Sequence, residues 1–318
     1  MAYITGAANS LHELAVNFKN ALINSGGGVV GNAVHLNDMF ISFTVLGDGV
    51  TQGSWLEMQV GVSFDGTNPV DPVRSTIGPL IAPGGGSSWG WPVVYHLHIL
   101  DNPFEAFLLV EYSSFWQILC FGQSPAPGCP GMGVWGHGSL GAALYNNAIY
   151  ENQLALSPDG VTVGYGYGWR LLSNIPFALS SITTGGSPTV SRIHAFSNMA
   201  DDIGWSAPQG TMLSGGASSM LPLQPLLRTQ PNAWNLEATL LPCDIYQGRL
   251  ESKSSLVGSL AHMRITRNDY LSDGAVVVLG TDRWKVYPAY RRNTAQRDGA
   301  NGINHSGTMA VAIRYDGP

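Results

Sequence analysis

The spacing of apolar residues near the start of the chain predicts one amphipathic helix, over residues 10 to 24. Apolar residues recur on one helical face, at Leu11, Leu14, Ala15, Phe18 and Leu22. Ser10 and Glu13 form a capping-box pattern, in which a hydroxyl and a carboxylate accept hydrogen bonds from amides of the first turn. The glycines at 26 to 28 end the helix. We expect its apolar face to pack on a sheet of the same domain; the alternative is a partner-binding helix.

Most of the remaining pattern is that of β-strands, with short runs of β-branched and aromatic residues joined by turns. The predicted strands are Met39 to Val45, Trp55 to Val62, Val93 to Leu100, Phe104 to Tyr112, Phe115 to Phe121, Trp234 to Leu241, Ala261 to Ile265 and Ala275 to Leu279. The predicted fold class is therefore mainly β. We expect an antiparallel β-sandwich or barrel-like domain with one N-terminal amphipathic helix and long loop insertions.

The end of the chain, Gly280 to Pro318, predicts a terminal hairpin. Aromatic and basic residues alternate in its first part, which is typical of a strand with one dry and one wet face. We place Trp284, Tyr287 and Tyr290 on one face; stacking of these rings on nucleic-acid bases is the alternative. The second strand stops close to the chain end, so we expect it to be tied into its sheet.

Short runs at both ends of the chain and one in its first half share a recognisable pattern. They are Asp282-Arg-Trp-Lys-Val-Tyr-Pro, Arg291-Arg-Asn-Thr, Arg297-Asp-Gly, Ala312-Ile-Arg-Tyr-Asp-Gly-Pro, Met1-Ala-Tyr-Ile-Thr-Gly-Ala-Ala-Asn and Phe121-Gly-Gln-Ser. In these runs the chain resembles a family of tailed-bacteriophage virion proteins. The resemblance does not extend over residues 130 to 235. Because these motifs are structural, the resemblance implies a component of the phage particle near the tail tip or baseplate, and it implies no catalytic chemistry.

The chain divides into three segments by texture. Residues 1–122 hold the helix and a β-meander, residues 123–232 are a loop-rich insertion, and residues 233–318 are a C-terminal β segment that we expect to complete the same fold. The insertion carries few charged side chains: Glu151, Asp159, Arg170, Arg192, Asp201, Asp202 and Arg228. Long loops with so little charge usually cover a partner or a ligand.

The composition favours a subunit of an assembly. Charged residues make up 11% of the chain, against roughly a quarter in typical soluble domains. A freely diffusing protein normally keeps more surface charge. Ten of the fifteen Lys and Arg residues lie in 249–318, so a basic end follows an acidic body. This end could dock on its own body, on the next copy or on nucleic acid; the net charge of −6 argues against nucleic acid.

Targeting and redox features are sparse in the sequence. The three cysteines, Cys120, Cys129 and Cys243, have no paired metal-binding spacing, and Cys120 suits a buried apolar position. The start of the chain lacks a signal-peptide pattern, and no apolar run approaches the ~20 residues of a membrane span. We expect a product made in the host cytoplasm and located in the virion tail, without membrane insertion.

Three patterns resemble catalytic or cofactor motifs but lack the required context. Ser88 stands between Gly86 and Gly90 as in a nucleophile elbow, yet a glycine loop precedes it and Trp-Pro follows. The spacings of Gly26, Gly28, Gly31 and of Gly131, Gly133, Gly136 fit a dinucleotide motif without the strand-to-helix setting. Carboxylates for glycoside cleavage are available in the insertion at Glu151, Asp159, Asp201 and Asp202. We expect no enzyme and no cofactor; a depolymerase remains an alternative.

Two further patterns carry binding hypotheses. His96 and His98 would share one strand face and reach one metal, with His137, His194 or Glu111 as the third ligand. The alternative places Tyr95, Leu97 and Ile99 in the core and the histidines against water or a subunit. Rings at Tyr165, Tyr167 and Trp169 alternate with glycines and would form a sugar-binding platform, or else belong to the core.

The sequence therefore predicts a non-enzymatic structural component of a phage tail that assembles through low-charge interfaces. A host-surface binding protein at the tail tip, recognising a glycan or receptor through the 123–232 loops, is the alternative. The predicted partners are other tail or baseplate proteins and copies of itself. The interface candidates are Arg283, Trp284, Tyr287, Tyr290, Arg291 and Arg292 of the hairpin, and Leu221, Leu223, Leu226 and Leu227 of a proline-containing ridge.

Overall fold

A computed structural model describes the greater part of the chain. The described residues are 1–51, 54–70, 72–79, 89–112, 115–124, 133–139, 144–145, 148–149, 217–218, 240–248, 254–267, 271–288 and 309–317. Most of the predicted insertion, including Tyr165, Tyr167, Trp169 and the leucine ridge, lies outside them, as do residues 234–239 of a predicted strand. In the described part, no helix is long and apolar enough to cross a membrane.

The described residues form one helix and eighteen strands. In chain order these are β1 (Ala2–Ala8), α1 (Leu11–Asn24), β2 (Gly28–Val30), β3 (Ala33–Leu36), β4 (Met39–Leu46), β5 (Trp55–Gly61), β6 (Val73–Ile77), β7 (Val93–Leu100), β8 (Glu105–Tyr112), β9 (Phe115–Gln123), β10 (Val134–Gly138), β11 (Leu144–Tyr145), β12 (Ala148–Ile149), β13 (Ala217–Ser218), β14 (Leu241–Gly248), β15 (Ser254–Arg267), β16 (Val276–Leu279), β17 (Asp282–Pro288) and β18 (Met309–Arg314). The mainly β prediction is confirmed.

Three antiparallel sheets contain nearly all of these strands. The central sheet has the order β1-β7-β8-β9-β10, the N-terminal sheet β2-β3-β4-β5-β6, and the C-terminal sheet β13-β14-β15-β18-β17-β16. A separate two-stranded pair joins β11 to β12. Over the described residues the sheets stay open and pack in layers, so the fold is sandwich-like and the barrel alternative does not apply.

The central sheet is buried on both faces, as β8 illustrates. Leu108 and Val110 belong to one apolar cluster, whereas Phe107 and Leu109 belong to another. Successive strand residues point to opposite faces, so one strand supplies two cores. We call the first the helix-side core and the second the C-terminal core. This explains why β8 is a nearly continuous apolar run, although alternation is usual for antiparallel strands.

Helix α1 and the N-terminal sheet cover the helix-side core. Phe18 of α1 packs against Phe43 of β4 and Phe121 of β9, with ring centroids 5.0 and 6.1 Å apart. The predicted cap is confirmed in part, because the Glu13 amide donates to Ser10 Oγ at 3.2 Å. The Glu13 carboxylate, however, accepts from the Asn9 amide instead of the Ser10 amide.

The N-terminal and central sheets meet closely where β6 passes β10. A side chain at Gly138 would stand 2.6 Å from the Thr76 carbonyl oxygen, so only glycine permits this approach. Gln117 of β9 adds a link, because its side-chain amide exchanges hydrogen bonds with the backbone N–H and C=O of Gly78. Since β10 adds to the central sheet, this sheet continues past the predicted segment boundary at residue 122.

The final strand lies inside the C-terminal sheet, between β15 and β17. The terminal hairpin and its tie into the sheet are therefore confirmed. The prediction of one dry and one wet face is wrong for β17. Trp284 packs with Val286 on the outer face, whereas Tyr287 belongs to the C-terminal core on the other. Residues three apart on a strand face opposite sides, so Trp284 and Tyr287 cannot share a face.

Candidate functional site

A group of tyrosines, histidines and one lysine gathers where the two ends of the chain meet the central sheet. We call it the tyrosine–histidine cluster, and its members are Tyr3 of β1, His96 and His98 of β7, Lys285 and Tyr287 of β17, and Tyr315 just after β18. The Tyr3 ring packs edge-on against that of Tyr315, with centroids 4.9 Å apart. His96 stacks on Trp116 of β9 at 5.6 Å. The cluster thus joins the central and C-terminal sheets.

Hydrogen bonds fix the protons of His98. Its Nδ1 lies 3.2 Å from the carbonyl oxygen of Arg314, which can only accept, so Nδ1 carries the hydrogen. In a neutral ring Nε2 is then an acceptor, and the Tyr287 hydroxyl donates to it at 2.8 Å. Both ring nitrogens of this side chain, which is 1% exposed, are therefore in use.

A second chain of hydrogen bonds runs through Tyr3. The ammonium of Lys285 donates to the Tyr3 hydroxyl oxygen at 2.8 Å, and the Tyr3 hydroxyl donates to His96 Nδ1, also at 2.8 Å. The same ammonium lies over the rings of Tyr3 and Tyr315, 4.5 and 4.9 Å from their centroids. Contacts of a cation with ring faces are favourable, so Lys285 ties β1 to β17 although no ion pair with a carboxylate of the described residues holds it.

The surroundings keep both histidines neutral. Burial is the main cause that lowers the pKa of His98 to about 3; the hydrogen bond to the Arg314 carbonyl opposes this shift, and His96 and Lys285 add to it. Burial and then the charge of Lys285 lower the pKa of His96 to about 4. Burial also raises the pKa of Tyr287, with Tyr3 and Tyr315 as smaller causes. Lys285 is thus the cationic member of a neutral network.

This geometry bears on the predicted metal site. His96 and His98 do share a strand face, and Tyr95, Leu97 and Ile99 do face the helix-side core. The expectation that the histidines face water or a subunit is wrong for His98, because the chain's own C-terminal sheet covers it.

The proposed third ligands are not brought to the histidine pair. His137 pairs with Cys120, which pairs with Phe107 beside His98, so two strands separate the histidines. Glu111 lies further along β8, opposite Val94. In the described ranges, no three His, Cys, Asp or Glu residues are grouped to hold a metal ion. His194 lies outside these ranges, so a metal site formed by His96, His98 and His194 stays a prediction.

A second polar contact joins the two sheets at Glu105. Pro242 pairs with Arg264 and Cys243 with Leu260, so residues 261–263 of β15 form a bulge. The amides of Ala261 and His262 in this bulge donate to the two Glu105 carboxyl oxygens at 2.9 and 2.8 Å. Burial raises the pKa of Glu105 to about 8, against the lowering effect of these amides and of Arg264. Sequence reasoning missed Glu105, because no motif surrounds it.

The structure places three of the predicted interface residues within the chain's own contacts. Arg283 donates to the Gly317 carbonyl at 2.8 Å and stacks over Tyr315. Trp284 is 2% exposed beneath the guanidinium of Arg264, and Tyr287 is fully buried. Trp284 and Tyr287 are therefore corrected from surface to core residues. Tyr290, Arg291 and Arg292 lie outside the described residues.

The exposed apolar surface of this sheet is at β16 instead. Val276, Val278 and Leu279 are 40%, 66% and 56% exposed. β16 is the last strand of the C-terminal sheet, so in the described part of the chain no strand lies beside its outer edge. The catalytic and cofactor patterns of the sequence do not form a site here. Gly26 and Gly31 have positive φ in the turns around β2, and Ser88 and Gly131 fall outside the described ranges.

Comparisons with known proteins give no family for this chain. Neither the scan against protein-family models nor the search of curated proteins finds a match.

Proposed function

We propose that this chain is a non-enzymatic structural component of a bacteriophage tail, near the tail tip or baseplate. The observation that carries the proposal is the exposed apolar edge strand β16 in a chain with 11% charged residues. The resemblance of both chain ends to tailed-phage virion proteins supplies the setting. The tyrosine–histidine cluster fits this proposal as an internal joint, since its hydrogen bonds are made within the chain.

The physical argument concerns what an edge strand does. Its outward amide and carbonyl groups can pair with a strand of another chain, and soluble proteins usually prevent this with charges, proline or bulges. The strand Val276–Leu279 contains none of these residues. Addition of a partner strand would satisfy its backbone and cover Val278 and Leu279. Other tail proteins or copies of this chain are the partners that the proposal names.

The test places a charge on this edge. Val278→Lys should reduce incorporation of the protein into phage particles at least tenfold, because a partner strand would bury the ammonium. Val16→Lys is the matched control, since Val16 is 55% exposed on α1 and far from the edge strand in sequence. Incorporation is measured by quantifying the chain in purified particles after complementation, and the melting temperature of each isolated variant checks the fold.

Normal incorporation of the Val278→Lys variant would overturn the edge-strand argument. An equal loss with Val16→Lys would do the same, because any surface charge would then have this effect. Purified protein that binds susceptible cells and blocks infection would favour the alternative, a host-surface binding protein that acts through the 123–232 loops.

A further inference from the structure

We propose that the tyrosine–histidine cluster is an acid-sensitive joint, in which protonation of His96 and His98 loosens β1 and the C-terminal sheet from the central sheet. This inference does not depend on the phage-tail proposal. It concerns the place where three distant parts of the chain meet: β1, β7 and the β17–β18 pair. The His98 contact with Arg314 alone joins residues 216 positions apart.

The groups that face the two histidines leave no place for added positive charge. Tyr3 faces them from β1, Trp116 from β9, Lys285 and Tyr287 from β17, and Tyr315 from the segment after β18. Arg283 stacks on the same Tyr315 ring. Among the described residues, no carboxylate contributes to the pKa of either histidine; Lys285 lowers the pKa of both, and His96 also lowers that of His98.

Protonation breaks a specific contact at each histidine. A proton on Nε2 of His98 would oppose the Tyr287 hydroxyl, which now donates to that atom. A proton on Nδ1 of His96 would bring a second cation to the Tyr3 oxygen, which already accepts from Lys285 at 2.8 Å. Both charges would be in surroundings largely removed from water, where like charges repel more strongly than in solvent. At pH 5, which lies above both lowered pKa values, the open form of the cluster therefore accepts these protons more readily than the closed form.

The direction of the pH effect follows from the lowered pKa values. A histidine with a pKa below its ordinary value near 6.5 stabilises the closed joint fully above that value, and this stabilisation is lost as the pH falls through the range below it. Between pH 7 and pH 5, one such histidine favours the open form by about 25-fold, and two favour it by about 600-fold. Opening uncovers the C-terminal core, including Phe107 and Leu109.

The test is amide hydrogen exchange of the full chain at pH 7 and pH 5, with rates corrected for the intrinsic effect of pH. In the wild type we expect protection to fall by two to three orders of magnitude in β1 and β17, and far less in β4 and β5, which do not contact the cluster. In His98→Gln, the loss of protection between pH 7 and pH 5 should be about 25-fold smaller than in the wild type. His35→Gln is the control, because His35 is exposed on β3.

His96→Gln keeps the test decisive if His98→Gln does not fold, because His96 is only partly buried and its replacement should be tolerated. His96→Gln should also make the loss of protection between pH 7 and pH 5 about 25-fold smaller. The proposal is overturned if His96→Gln and His35→Gln behave alike. It is also overturned if protection falls equally in β1, β17, β4 and β5, since the acid effect would then be global unfolding.

Discussion

The two faces of the central sheet are buried in different ways. The face toward α1 and the N-terminal sheet meets a core of apolar and aromatic side chains such as Phe18, Leu108 and Phe121. The face toward the C-terminal sheet has an apolar centre around Phe107, but Glu105 and the tyrosine–histidine cluster make directed polar contacts there. One face of these strands is therefore held by apolar packing alone, and the other is held by apolar packing together with directed hydrogen bonds.

The two kinds of contact contribute differently: apolar burial stabilises the fold, and polar contacts fix the position of one layer on another. Apolar burial contributes in proportion to area and tolerates small shifts of one layer over another. A buried carboxylate or imidazole tolerates none, because each unpaired polar group left behind costs about 1–3 kcal/mol. We infer that the helix-side core stabilises the fold, whereas the polar contacts fix how the C-terminal sheet sits on it.

The largest expected effects come from truncating one buried leucine in each of the two cores, on the same strand. Leu108→Ala and Leu109→Ala change neighbouring residues of β8, each 1% exposed, that face opposite cores. Each should lower the free energy of unfolding by about 2–5 kcal/mol, measured by urea denaturation. Only Leu109→Ala should make β15, β17 and β18 exchange their amide hydrogens before the rest of the fold, because it weakens their attachment.

The comparison fails if the two alanine variants give the same pattern of hydrogen exchange. In that case the three sheets would unfold as one unit, and the two faces would not differ in how they hold their covering layers.

A smaller effect is expected at the polar contact of Glu105. Glu105→Gln keeps the size of the side chain but turns an N–H group toward one of the two bulge amides, so one buried donor loses its acceptor. We expect a loss of about 1–3 kcal/mol in the free energy of unfolding at pH 6. Glu111→Gln, on the same face of β8, is the control. It should be neutral or slightly stabilising, because burial and then the charge of Asp273 already raise the pKa of Glu111.

The difference in stability between the wild type and Glu105→Gln should also depend on pH. Burial raises the pKa of Glu105 to about 8, so the folded state favours the protonated carboxyl. Its stabilising effect is complete below the ordinary value near 4.3 and is lost as the pH rises through 8. The stability advantage of the wild type over Glu105→Gln should therefore shrink between pH 6 and pH 9. A constant difference would show that this carboxyl does not titrate with folding.

The parts of the fold that the sequence predicts correctly are those set by local spacing. Leu11 to Leu22 repeat at the helical period, and the strand Val93–Leu100 coincides with the predicted one. The partner of each strand face is not local. His96 and His98 alternate with apolar residues as on a wet face, and the layer that covers them comes from the other end of the chain. The tyrosine–histidine cluster therefore could not be predicted from the spacing of apolar residues along the chain.

Glu105 illustrates a second limit. A glutamate in the run Phe104 to Ala106 carries no sign of burial, because its partners are backbone amides in a bulge 156 residues away. Backbone donors leave no trace in residue identity. Trp284 and Tyr287 illustrate the same limit, because the sequence predicted them as interface residues and contacts within the chain bury both of them.

The smallest expected effect is at the helix cap, where Ser10→Ala should lower the free energy of unfolding by about 1 kcal/mol. The contact is of the same kind as that at Glu105, since a side-chain oxygen accepts from a backbone amide, here that of Glu13 at 3.2 Å. At the partly exposed cap, however, water can replace the lost acceptor, and at the buried bulge it cannot. Asn24→Ala at the exposed end of α1 is the control for helix propensity. If Ser10→Ala cost as much as Glu105→Gln, burial would not be what separates the two contacts, and the distinction between a tolerant core and a specified joint would lose its physical basis.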